Sequence, residues 1–174
     1  MKFLVGLSLF LLMAVTASAQ TQYEIIQDKD SGKKILKGII SRDLLEKDAS
    51  YDWYAENKDG YKPYPAALDA LKKNVDSVQM IIFMGTWCGD SHFIIPKFFM
   101  LADAAGFSEK NISLIGVDRE KKTLGNLTTT LNVLNVPTMI VLKNGKEIGR
   151  VVEYGKSGQF DKDLAEILAI PAGR

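Results

Sequence analysis

One cysteine and one histidine are all that 174 residues contain. A single thiol forms no disulfide within its own chain, and the two side chains together fall far short of a zinc or iron ligand set. Excess charge of one sign is also missing. The 22 basic residues stand against 21 acidic ones, for a net charge of +1, whereas a dedicated nucleic-acid binder carries a marked basic surplus. No apolar run reaches the ~20 residues that cross a bilayer as a helix; the longest, from Phe3 to Val15, spans about thirteen. Glycine-rich phosphate loops and serine-nucleophile motifs are absent as well, so no motif calls for a metal or an organic cofactor. What is present, 47% hydrophobic and 25% charged residues, suits one ordinary globular domain.

The N-terminus reads as an export signal. Lys2 supplies the positive end, the apolar stretch follows, and Ala17-Ser18-Ala19 offers the small-x-small pattern of a cleavage site. Residues 1–19 are therefore expected to be removed, leaving a chain that starts at Gln20; an uncleaved anchor is the alternative, which the short run disfavours. No cysteine follows the apolar stretch, which excludes a lipid anchor there. The expected destination is the periplasm or the extracellular space, with no membrane span after cleavage. Lone cysteines are uncommon in such oxidising surroundings.

Along the mature chain, 23–28 and 33–40 read as strands around the turn Lys29-Asp30-Ser31-Gly32. A short helix follows from Ser41 to Lys47. Residues 50–65 read as a loop holding Tyr51, Trp53, Tyr54, Tyr61 and Tyr64; packing onto the core is favoured over a ligand groove. A helix over 65–74 precedes the apolar run 78–85, as expected of a strand covered on both faces. Then come a helix from Cys88 to Ala105, a strand over 112–117, a helix from Leu124 to Leu134, and two strands joined by Asn144-Gly145. An amphipathic helix over 159–168 closes the chain. The run Arg119-Glu120-Lys121-Lys122 reads as a solvated loop. This order specifies an α/β fold: a central mixed sheet flanked by helices, with an N-terminal hairpin and helix extension.

Chemistry concentrates in Gly85-Thr86-Trp87-Cys88-Gly89-Asp90-Ser91-His92. Cys88 falls between a buried strand and the start of a helix, where free backbone amides and the helix dipole favour a thiolate. The bland reading is an inert core cysteine. Trp87-Cys88-Gly89-Asp90-Ser91 resembles the Trp-Cys-Gly-x-Cys turn of the thioredoxin family, with serine in place of the second cysteine. Pro96 stands where that family carries a helix-kinking proline, and Val136-Pro137-Thr138 resembles its cis-proline loop. The resemblance covers about residues 76–170 and implies a thioredoxin-like domain over 76–174, with 20–75 as an extension packed upon it. The whole pattern looks like an exported single-cysteine branch of that family.

The departures bear on mechanism. A two-cysteine thioredoxin attacks a disulfide with its first thiol and frees itself with the second, a step Ser91 cannot perform. The buried carboxylate that the family places six residues before the nucleophile is Ile82 in this chain. The resemblance therefore implies monothiol chemistry: Cys88 forms a mixed disulfide that an external thiol resolves. Cys88, Ser91, Trp87 and Pro137 are the expected catalytic set. Val136, Thr138, Gly89, Asp90 and His92 are the expected binding positions.

Several of these have open readings. His92, one turn beyond Cys88, can contact the sulfur, although a solvated ring is favoured. Asp90 suits the helix dipole but opposes a neighbouring thiolate. Ser91 either donates to the thiolate or lies solvated in the first turn. Trp87 either meets substrate or simply packs. Pro137, if cis, leaves the Val136 backbone free to pair with an extended peptide. Expected partners are protein or small-molecule thiols and disulfides. The competing function is a binding module that keeps the groove without turnover.

Overall fold

A computed structural model describes residues 22–170; the expected leader, 1–19, lies outside them. Strands Tyr23–Gln27 (β1) and Lys34–Ile40 (β2) pair antiparallel. Gly32 turns between them at φ +68, a left-handed conformation that glycine adopts without a Cβ penalty. Helix Arg42–Lys47 (α1) leads to a 3-10 turn over Ala49–Tyr51 and the short helix Trp53–Glu56 (α2). Helix Pro65–Lys73 (α3) precedes strand Val78–Met84 (β3). Helix Gly89–Ala105 (α4) returns to strand Ile112–Gly116 (β4). One helical turn, Leu127–Thr130 (α5), precedes strands Thr138–Lys143 (β5) and Lys146–Val152 (β6), and Phe160–Leu168 (α6) comes last.

The six strands lie in the order β1-β2-β4-β3-β5-β6. Only β3 and β4 run parallel, and α4 supplies the crossover that a parallel pair needs. Strand periodicity divides β3 between two cores. Val78, Met80, Ile82 and Met84 enter the larger one, beneath α2, α3, α4 and α6, while Phe83 points to a smaller one with Ile115, Val117, Val136 and Ile140. Burial on both faces explains the nearly continuous apolar run of β3. The mixed α/β fold with its N-terminal hairpin and helix is the one expected from the order of elements.

Two local readings are corrected. The helix expected over Leu124–Leu134 is a single turn: Gly125 and Asn132 take positive φ at either side, and Thr128, Thr129 and Thr130 are β-branched, which weakens propagation. The aromatic stretch is partly helical rather than a loop. Asp48 caps the 3-10 turn through the Ser50 amide and Asp52 accepts from the Trp53 amide, and Tyr51, Trp53 and Tyr54 are buried. These helical segments are too short to show periodicity.

Candidate active site

β3 delivers the chain to Gly85-Thr86-Trp87, and Cys88 becomes the N-cap of α4 with extended backbone, φ −96 and ψ 121. The cysteine side chain caps nothing in the helix. Its Sγ–H donates instead to the carbonyl of Val136 at 3.2 Å, across the turn. Val136 precedes a cis peptide bond to Pro137, and both residues are buried. Cys88 is half-buried and its thiol is free. Trp87, Cys88 and Val136 thus meet at the edge of the smaller core.

The turn is clamped from several sides. Trp87 Nε1 donates to the Val117 carbonyl at 3.0 Å, and its indole lies so close over Gly85 that a Cβ there would come within 2.7 Å of the ring. Thr86 Oγ1 accepts from the Leu36 amide at 3.2 Å and donates to the Lys34 carbonyl at 3.4 Å, stitching the turn to β2. Ser91 is fully buried and its Oγ accepts from the Gly85 amide at 3.2 Å. It is not solvated, contrary to one of its two readings: its hydroxyl fastens the start of α4 to the end of β3.

His92 also departs from the solvated reading. Its Nε2–H donates to the Thr86 carbonyl at 2.8 Å, and a carbonyl can only accept, so that nitrogen carries the proton. The ring stacks on Trp53 with centroids 4.2 Å apart and planes 12° from parallel. Thr138 is buried at the start of β5 with Oγ1 donating to the Asn135 carbonyl at 2.7 Å. Gly89 is exposed with open space around its Cα, and Asp90 is half-buried. Ile82 lies fully buried in the larger core, and no carboxylate occupies that position.

Three contributors had no signal in the sequence. Arg119, read above as part of a solvated loop, sets its guanidinium over the Trp87 ring at 5.2 Å. The same group holds buried Asp28 bidentately, at 2.8 and 2.9 Å, and reaches Asp30 at 3.1 Å. Arg119 first and Ser31 second hold the Asp28 carboxyl well below the usual carboxylate range. Through these contacts the β1–β2 turn supports the tryptophan beside the thiol. The third is Tyr154, whose hydroxyl is pushed up chiefly by burial and then by the Asp90 carboxylate.

His92 yields a pH prediction. Burial holds its imidazole below the ordinary value of 6.5, outweighing the Thr86 carbonyl, which favours the charged ring. Below pH 6.5, until the depressed folded value is passed, the unfolded chain binds a proton that the folded chain resists. The histidine's contribution is therefore complete above that window and lost as pH falls through it. Urea unfolding at about pH 7.5 and about pH 5.5 should show lower stability at the acid end. A difference that persists unchanged in His92→Gln would assign the effect to other groups.

A model of the thioredoxin family matches residues 66–166, from the start of α3 into α6. Among curated proteins, the chain is 24% identical to the thioredoxin of Alicyclobacillus acidocaldarius, over 53% of this chain and 84% of that one. It is 30% identical to a Staphylococcus aureus thioredoxin, over 58% and 88% respectively. Among solved structures, Fasciola hepatica thioredoxin aligns over 57% of this chain and 86% of its own at 23% identity, with a TM-score of 0.38. The hairpin, α1 and α2 precede the matched region. A free cysteine at the N-cap of the long helix, packed against the residue before Pro137, thus stands in a matched scaffold with serine three positions on, and the chain belongs to the thioredoxin family.

Proposed function

We propose that this protein is an exported monothiol of the thioredoxin family that exchanges or isomerises disulfides through Cys88. The observation that carries the reading is the placement of its one thiol: half-buried, ahead of the free amides of a 17-residue helix, with Ser91 where a resolving thiol would stand. The Cys88 thiolate attacks a client disulfide, forming a Cys88–client mixed disulfide and releasing the other client sulfur as a thiolate. An external thiolate, or the released client sulfur after rearrangement, then attacks the mixed disulfide and expels Cys88 as thiolate. Exchange itself causes no net oxidation or reduction. The Val136 amide, which has no hydrogen-bond partner among the described residues, is available to an extended client backbone beside the thiol.

Affinity capture from the native compartment after alkylation of free thiols tests the reading. Client proteins should be bound through dithiothreitol-sensitive links in the wild type, and the whole set should be lost in Cys88→Ser. Recovery of the same proteins with that variant would favour the other reading, a binding module without thiol turnover. Export carries its own check: the intact mass of the secreted protein should begin at Gln20, and retention of residues 1–19 would overturn the cleavage.

A further inference from the structure

A groove outside the Trp87–Cys88–Pro137 cluster lies between Tyr154, Phe93 and Lys97 of α4 and the start of α6, with a cavity volume of about 580 Å³. Its walls are unusually aromatic for a surface: Phe93 is 43% exposed, Tyr64 39% and Tyr154 37%. Phe93 and Tyr154 lie 5.7 Å apart. Lys97 lines the same groove and is only 8% exposed. Its ammonium sits over the Phe93 ring and makes no hydrogen bond or ion pair among the described residues. The aliphatic stem of Lys97 is buried while the ammonium itself opens to the groove, a cation left without a carboxylate partner among the described residues. Asp161, the carboxylate of this groove, is already engaged by the Tyr61 hydroxyl at 2.9 Å and the Tyr64 amide at 3.0 Å. A larger hollow between β6 and α6, about 660 Å³, offers no such vacancy, because its Arg150 is clamped by Glu147.

We propose that this groove binds an extended segment of a client polypeptide, seating an aromatic or large aliphatic side chain against Phe93 and Tyr154 and an acidic side chain against Lys97. Charge complementarity sets the acid: Lys97 and Lys62 are the cations along the groove, and its one carboxylate is occupied. Placement on α4 selects a polypeptide: Phe93 and Lys97 follow the N-cap Cys88 by five and nine residues on the same helix, so an extended chain lying along that helix would run from Lys97 toward the thiol. The inference rests on the monothiol reading for its client, a disulfide-bearing polypeptide; binding itself needs no sulfur.

Amide-resolved NMR titration of the mature protein with two blocked tetrapeptides, Ser-Phe-Glu-Ser and Ser-Phe-Gln-Ser, tests it. The acidic peptide should bind about tenfold more tightly and shift amides around Phe93, Lys97 and Tyr154. Lys97→Met should erase the preference, and the surface variant Phe93→Ala should weaken both peptides. Cys88→Ala should bind as wild type does. Equal affinity for the two peptides, or a preference that survives Lys97→Met, overturns the proposal. If 3-phenylpropanoate binds as tightly as the acidic peptide, the groove is a small-molecule site and the polypeptide assignment falls. Intact peptide discrimination with no mixed disulfides in capture would sink the thiol reading alone; captured clients with no discrimination would sink this one alone.

Discussion

Ser91→Cys should raise disulfide reductase activity above that of the natural protein. Position 91 is fully buried in the first turn of α4, three residues after Cys88. A thiol there would be shielded from solvent and within about one helical turn of the first sulfur. In the variant, the Cys88 thiolate attacks insulin's disulfide and the new thiol displaces insulin from the mixed disulfide. Two enzyme thiols become one disulfide as one insulin disulfide becomes two thiols, and dithiothreitol restores the enzyme. Two costs limit the gain. The Gly85 amide loses its hydroxyl acceptor, worth about 1 kcal/mol. Ile82 still provides no proton relay, and a positioned acid–base group commonly contributes ~10²-fold or more. The variant should therefore exceed wild type clearly in an insulin-reduction assay and fall about 10²-fold short of a two-cysteine thioredoxin. Wild type matching a two-cysteine enzyme would end the monothiol argument. Failure of the variant to form an internal disulfide under oxidant would refute the geometry assigned to the turn.

Gly116→Ala should lower stability by about 3 kcal/mol, which is roughly 10 °C in Tm for a domain of this size. Gly116 ends β4 opposite Gly38 of β2. A Cβ at 116 would overlap the Leu36 carbonyl oxygen and lie 2.9 Å from the carbonyl carbon, and main-chain atoms cannot swing aside as a flexible side chain can. Gly38 faces the same crowding, at φ +118 with a virtual Cβ 2.7 Å from the Tyr23 Cα. The two glycines let β2 lie close against β1 on one side and β4 on the other. Leu36 is also the residue whose amide Thr86 holds, so displacing it should loosen the turn that carries Cys88. Thermal unfolding followed by circular dichroism reads the effect. An unchanged Tm would mean that the hairpin docks loosely enough to absorb the methyl group, and that it does not brace the site.

Some of this architecture was readable because its causes are local. The apolar run of β3, the helix entered at Pro65 and the Asn144-Gly145 turn each depend on a few neighbouring residues. The failures were local as well, where the signal was too short. Four residues of α2 and four of α5 complete barely one turn, so no apolar stripe could mark them.

By itself, the sequence determined the number and chemistry of the reactive groups: one thiol, one imidazole, serine at position 91 and isoleucine at 82. No fold can add a second sulfur or a missing carboxylate, so limits of that kind are legible without coordinates. Tertiary structure alone decided what each group faces. It turned Ser91 into the core toward Gly85, set His92 on Trp53 instead of beside the sulfur, and brought Val136 to Cys88 from 48 positions away. It also made a brace for Trp87 from Arg119 and Asp28, which are 91 positions apart, and laid the Lys97 ammonium over Phe93 with no carboxylate partner among the described residues. The physical reason is range. A side chain's composition and helical or strand period act over a few residues, whereas its partners are chosen by how the layers pack, which one stretch of sequence does not encode.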